Sequence, residues 1–555
     1  MNKKVCSFPI LFALLALLIG TCAVVFPASA QAAPTSTGSI TVSGTVARSY
    51  DAYQIFSANV VDGDSDAKIA TDLAWASDAV RDAALPVLHS AGMPNSQTTA
   101  QEAAEWLNTD SHLTSALSAQ LARSLQSSGA EPVALNAGTA AELPCGYWLI
   151  VADDAAIAQG EAGTAPIMVL VGGSAVTVKP KAATPKVAKH VLEDNTAAWQ
   201  KAADATVADD LYWRLSATVP AGLTAYDTYT VRFVDAMSAG LDPSKVAASM
   251  RVYVAAGADG GFDAVSIGKD GHAGTEPAKG WTDITAQCAT KVAADGTFTV
   301  RTGDLIAALG GADAFAAGAR VVAVYNAPLA SGCNHGIAKG NPNEVYLRYP
   351  RSPFADQSGD AGFTRTPSDD ACAYTWDLAL TKRGSDGDKP LAGAVLSITD
   401  DRGRTLSADG TWDAEGKATV TTGEDGRVTV SGVDSGKLEV RELKAPKGYT
   451  AFEGTRSVTV KAEGLDVKQV AAAKPKLTIT AESPLRADSA DGSTGSLEAS
   501  LINTPTGTPP SITTGGFMPS TGDMAMYAAA AAAVAGAALI VVALLVKRGG
   551  GSHKE

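Results

Sequence analysis

Lys382, Glu442 and Asn503 each stand at the end of an apolar row that repeats every second residue. Leu378, Leu380 and Lys382 share one face of a strand, Leu438, Val440 and Glu442 share a second, and Leu497, Ala499, Leu501 and Asn503 share a third. A charge turned inward costs several kcal/mol unless it is paired. Desolvation lowers the pKa of a lysine and raises that of a glutamate, so burial favours a neutral amine on Lys382 and a protonated carboxyl on Glu442. That amine can attack the Asn503 carboxamide while Glu442 polarises the carbonyl and shuttles protons; ammonia leaves and an amide joins the two side chains. A fold that holds the groups in contact supplies the large effective molarity of an intramolecular step. The alternative is an inward Lys382–Glu442 ion pair with Asn503 at the edge of a linker.

A second lysine and carboxylate show the same phase. Lys189 alternates with Val187 and Val191, and Asp235 with Val231 and Phe233, so both are expected to face inward. Four cysteines fall outside the apolar leader described below: Cys145, Cys288, Cys333 and Cys372. In an exported chain they are disulfide candidates, with Cys288–Cys333 and Cys145–Cys372 one of three connectivities. No cysteine or histidine spacing suits a metal, and no cofactor is expected. The six histidines form no HExxH pair, no GxSxG elbow occurs, and glycine-rich stretches such as Gly257–Gly261 lack a phosphate-binding lysine, which argues against an enzyme of those classes.

These residues need strands to hold them, and the chain is rich in strand signals. With 555 residues, several domains are expected. A hydrophobic fraction of 46% with 18% charged residues indicates folded units, and 54 Gly with 26 Pro indicate many turns. The net charge of −14 and the lack of any long basic cluster exclude nucleic acid as a natural partner. The first unit, 31–181, is expected to be α+β: strands at Ile40–Val46 and Ala52–Phe56, a helical texture from about Ser65 to Gln126, then strands at Tyr147–Val151 and Ile167–Val171. The Pro/Lys connector Lys179–Lys186 leads to a second unit, 182–372, with strands expected at Thr228–Val234, Arg251–Ala255, Arg320–Tyr325 and Glu344–Tyr349. A third, 373–504, carries the turn signals Asp386-Gly387, Asp409-Gly410 and Asp425-Gly426 and reads as an antiparallel β-sandwich. The expected class is multidomain and mainly β: an α+β unit followed by two β-sandwiches of immunoglobulin-like type.

Both ends read as processing signals. Lys3 and Lys4, an apolar run and Pro27-Ala28-Ser29-Ala30 mark 1–30 as a secretory leader. At 505–523 lies a Pro/Gly/Thr linker containing Met518-Pro519-Ser520-Thr521-Gly522. It is followed by an apolar span at 524–546, long enough to cross a bilayer as a helix, and a basic tail at 547–555 that would stay cytoplasmic.

That order of elements resembles the cell-wall sorting signal of Gram-positive surface proteins, with Met518 in the place of leucine. The resemblance implies that a membrane sortase cuts between Thr521 and Gly522 and leaves an acyl-enzyme on Thr521, which an amine resolves. Leu380-Thr381-Lys382, the run Leu438–Tyr449 with Glu442, and Asn503 resemble the lysine, E-box and asparagine of Cna-B-type domains. There the lysine and asparagine form a spontaneous isopeptide bond and the glutamate catalyses it. Pro185–Val191, Tyr226–Leu241 and Gly340–Leu347 resemble the middle domain of sortase-assembled backbone pilins, which implies a bond-forming role for Lys189 and a catalytic one for Asp235. The family's amide-bearing segment reads Tyr349-Pro350-Arg351-Ser352-Pro353 here and carries no amide, so Lys189 lacks an evident acceptor and Arg351 becomes a candidate partner for Asp235. Val176-Thr177-Val178-Lys179-Pro180-Lys181 resembles the pilin motif, implying Lys181, with Lys179 the competitor, as the amine that resolves the acyl-enzyme. The expected function is therefore a structural pilus shaft subunit, secreted and anchored to the wall. Its expected partners are a membrane sortase, identical subunits, peptidoglycan directly or through a basal pilin, and a host surface ligand. A monomeric wall-anchored adhesin or an ancillary pilin is the alternative.

Overall fold

The computed structural model describes residues 36–507, apart from 45–47, 64–66, 110, 154–156, 158–159, 181–183, 221–222, 258–264, 268–272, 278 and 316–317. The leader, Lys181, the motif Met518–Gly522, the apolar span and the basic tail lie outside the described residues. Among those residues no helix is long and apolar enough to cross a membrane. The architecture is mainly β, with three successive groups of sheets.

In the first group the long strand Ser49–Asp62 lies between Lys68–Trp75 and Gly146–Ala152, antiparallel to both. Three helices follow, Asp78–Ser90, Ala100–Asn108 and Ser115–Ser127. Each opens on a hydroxyl, of Ser77, Thr99 or Thr114, that accepts a backbone N–H of its first turn and so satisfies one otherwise orphaned donor. Their apolar stripes, including Leu88, Leu107, Leu121 and Leu125, pack on Phe56, Leu149 and Val151. The helical texture expected from Ser65 begins only at Asp78. Lys68–Trp75 is a strand because the segment closes an antiparallel hairpin on Ser49–Asp62. A smaller sheet sets Thr37–Val42 antiparallel to Ala140–Pro144 and parallel to Val176–Val178, from which the chain runs directly to the exposed Lys179.

The second group is two sheets face to face. One contains Lys186–Glu193, Tyr212–Val219, Ala319–Asn326 and Arg251–Ala256; the other contains Asp369–Tyr374, Asn341–Pro350, Arg232–Met237 and Thr297–Arg301. Trp213, Phe233, Phe298, Tyr325 and Leu347 fill the space between. The strand expected at Thr228 starts at Arg232. Asp369–Tyr374 still pairs with Asn341–Val345, whereas Trp376–Gly384 opens the third group, so the chain changes sheets at the buried Thr375.

In the third group Trp376–Gly384 lies parallel to the last strand, Ser496–Pro505, and antiparallel to Arg427–Val433. The facing sheet is built on Val395–Thr399, Gly436–Lys444 and Thr455–Glu463.

The disulfide expectation is corrected: Cys145, Cys288, Cys333 and Cys372 are all free thiols. Cys145 is buried with Ala58, Val60 and Leu170 in the first group, while Cys372 belongs to the core of the third, so the two never meet. The Cys288 thiol donates to the Ile284 carbonyl at 3.3 Å, and the Cys333 backbone closes a tight turn on Ala330. Burial pushes both thiols up to about 11, which keeps them protonated and unreactive.

Candidate functional site

Lys382 and Asn503 are brought together by the parallel pairing of the first and last strands of the third group, in which Lys382 is opposite Leu501 and Gly384 opposite Asn503. Glu442 comes from the facing sheet, where it is opposite Leu396 of the neighbouring strand Val395–Thr399, and points across the sandwich. The three side chains meet in the core: Lys382 is fully buried, and Asn503 and Glu442 nearly so. Lys382 Nζ lies 3.5 Å from Glu442 Oε1 and donates to the Leu501 carbonyl at 3.3 Å. Asn503 Nδ2 donates to both carboxylate oxygens of Glu442, at 2.9 and 3.0 Å, and Glu442 Oε2 also accepts the Phe452 N–H at 3.1 Å. Asn503 Oδ1 is buried and has no hydrogen-bond partner among the described residues. Burial pulls the Lys382 amine down to about 8, against the attraction of Glu442.

A second cluster occupies the middle sandwich. Lys189 and Tyr325 come from one sheet, and Asp235 and Asn343 from the other. Lys189 Nζ pairs with Asp235 Oδ2 and donates to Tyr325 Oη at 2.9 Å. Tyr325 Oη donates to Asp235 Oδ2 at 3.1 Å and accepts from Asn343 Nδ2 at 2.8 Å. All four residues are fully buried. Burial lowers the Lys189 amine to about 8 and raises the Asp235 carboxyl, each opposed by the other's charge. Asp235 Oδ1 and Asn343 Oδ1 are buried without a hydrogen-bond partner among the described residues, a costly arrangement that native cores seldom tolerate.

Asn343 is the residue that sequence reasoning missed. Its signal was present, because Asn343 alternates in phase with Val345, Leu347 and Tyr349 and every one of them is buried. Arg351 does not take the place of the missing partner: the Asp235 carboxylate is engaged by Lys189 and Tyr325. Instead the Tyr349–Phe354 segment docks the first group, with Tyr349 Oη donating to the Glu161 carbonyl at 3.0 Å, Arg123 donating to the Pro353 carbonyl at 3.3 Å, and Phe354 packing on the helical core.

Residues 377–474 match the SpaA prealbumin-like fold domain family. A stretch of 129 residues is 30% identical to the trypsin-resistant surface T6 protein of Streptococcus pyogenes serotype M6, covering 22% of this chain and 22% of that relative. Among solved structures, the T6 backbone pilin of Streptococcus pyogenes is 18% identical, with 85% of this chain and 98% of that one covered and a TM-score of 0.45. The full-length major pilin SpaD of Corynebacterium diphtheriae is 15% identical, with 86% and 100% covered and a TM-score of 0.41. Residues 377–474 are thus similar to the SpaA prealbumin-like fold domain, and the chain spans about a fifth of the length of the curated relative it matches.

Proposed function

We propose that this chain is the shaft subunit of a surface pilus, stiffened by amide bonds between its own side chains. The observation that carries the reading is the buried contact of Lys382, Glu442 and Asn503, which joins the first and last strands of one sandwich. Glu442 touches both nitrogens whose proton counts must change. Lys382 passes a proton to Glu442 and attacks Cγ of Asn503 as a neutral amine. Glu442 then protonates the departing Nδ2 and recovers a proton from the new amide nitrogen, so ammonia leaves and the carboxyl ends protonated. The middle cluster supports a second bond of the same kind, from Lys189 to Asn343, with Asp235 in the place of Glu442.

Between subunits, a membrane sortase would cleave after Thr521 and the acyl group would pass to Lys181 of the next copy, with Lys179 as the competing amine. The end of the fibre would be joined to peptidoglycan directly or through a basal pilin. A free solvated lysine is mostly protonated at neutral pH, since its pKa is about 10.4, so the enzyme must supply the base. Co-expression with the cognate sortase should yield a ladder of polymers that survives boiling in detergent, and Lys181→Ala should abolish it. A ladder that persists in Lys181→Ala but disappears in Lys179→Ala would move the linkage to Lys179; no ladder with the intact chain would refute the shaft reading.

A further inference from the structure

The two buried clusters differ by one methylene and one hydroxyl. In the third unit the long side chain of Glu442 reaches Lys382 Nζ at 3.5 Å and Asn503 Nδ2 at 2.9 and 3.0 Å, so one carboxyl serves both nitrogens. In the middle unit the shorter Asp235 reaches Lys189 Nζ, and what Asn343 Nδ2 touches is the hydroxyl of Tyr325, at 2.8 Å. That hydroxyl in turn donates to Asp235 Oδ2 at 3.1 Å and accepts from Lys189 at 2.9 Å. A phenol has one donor and two acceptor positions, and all three are used here. Tyr325 is itself fully buried, its ring 5.5 Å from Lys189 Nζ and packed edge-on against Phe298, so the hydroxyl is held in position.

We propose that Tyr325 is a catalytic residue of the middle unit, its hydroxyl relaying the proton of Asp235 to the departing nitrogen of Asn343. The inference rests on the Lys189–Asn343 bond proposed above and assigns a residue to it. Lys189 first gives a proton to Asp235 and attacks Cγ of Asn343 as a neutral amine. As Nδ2 becomes tetrahedral and gains a lone pair, Tyr325 Oη hands it a proton and takes one from Asp235. The Cγ–Nδ2 bond breaks and ammonia leaves. The new amide nitrogen sheds its extra proton to Asp235, which ends as the neutral acid, able to donate to a carbonyl oxygen such as the unpartnered Asn343 Oδ1. Asp235 lies diagonally across from Asn343 in the paired strands, with Val345 and Met237 as their direct partners, so the two side chains share a face.

The test follows bond formation in newly translated full-length chain, quenched at intervals and read by the ammonia lost and by the cross-linked Lys189–Asn343 peptide. The Lys382–Asn503 bond, which uses no hydroxyl, is the clock within the same molecule. Tyr325→Phe should slow closure at Lys189–Asn343 by about 10²-fold, the contribution of a positioned general acid, while Lys382–Asn503 closes at the unchanged rate. Adding Asp235→Glu to Tyr325→Phe restores the reach of the carboxyl and should recover most of the rate; amide hydrogen exchange over 319–326 checks that each variant is folded. Unchanged closure in Tyr325→Phe overturns the relay and leaves the bond standing. Slowing that a folded Asp235→Glu, Tyr325→Phe chain does not relieve assigns Tyr325 to packing and also overturns the relay. Absence of the Lys189–Asn343 peptide from the wild-type chain overturns the bond itself and the relay with it.

Discussion

Lys382 and Lys189 expose nothing to water, yet among the described residues each amine forms an ion pair with one carboxylate, and that imbalance between desolvation and pairing sets their chemistry. Both amines fall to about 8, close enough to neutrality for a free amine to form without an external base. The same shift makes a stability prediction for a chain that cannot react. In Asn503→Ala the Lys382 amine survives, with a pKa lower folded than unfolded. Between pH 8 and about 10.4 the unfolded chain then holds more protons than the folded one, so stability rises with pH through that window, by roughly 1.4 kcal/mol per unit at most. Denaturation of Asn503→Ala at pH 8 and pH 10 should show the rise, and wild type, whose amine is consumed in the amide, should lack this contribution. An equal rise in both would mean that Lys382 is not consumed.

At the scale of strands, alternation with period two identified the inward faces that carry Lys382, Glu442, Asn503, Lys189 and Asp235. It did not give depth along a strand. Asn341 and Asn343 lie on the same face two residues apart, yet the Asn341 amide is spent on the backbone of Asn334 and Ala373 while Asn343 reaches Tyr325. The register between facing sheets decides which of the two meets Lys189, and register is a tertiary quantity. Lys68–Trp75 was hidden for a related reason: its alanine-rich composition suits a helix, and only its pairing with Ser49–Asp62 makes it a strand. Joining the first and last strands closes a loop of more than a hundred residues, which in the chain-entropy model stabilises the unit by roughly 4–5 kcal/mol. Glu442→Ala should therefore retain the ammonia and unfold about 10–20 °C lower. A Glu442→Ala chain with the wild-type midpoint and no bond would show that the amide contributes nothing to stability.

Across the whole molecule the sheet groups are coupled by polar contacts. Arg123 pairs with Asp227, and Tyr349 Oη donates to the Glu161 carbonyl, at the first junction. At the second, Trp376 Nε1 donates to Asp204 at 2.6 Å and Arg404 makes two bonds to Asp209, at 2.5 and 2.7 Å. In the proposed fibre, tension arriving after Asn503 crosses the amide to Lys382 and leaves the intervening strands unloaded. A bonded third unit then releases none of the approximately 400 Å of chain between those residues when pulled, and Glu442→Ala should add an extension step of about that length in single-molecule stretching. Such a step in the wild-type chain would place the intervening strands in the path of the load.

The most direct test of the account is the mass of the mature protein, intact and as peptides. It should weigh two ammonia molecules less than its sequence and yield branched peptides joining Lys382 to Asn503 and Lys189 to Asn343. A chain at full sequence mass, with all four residues recovered in ordinary linear peptides, would contradict it.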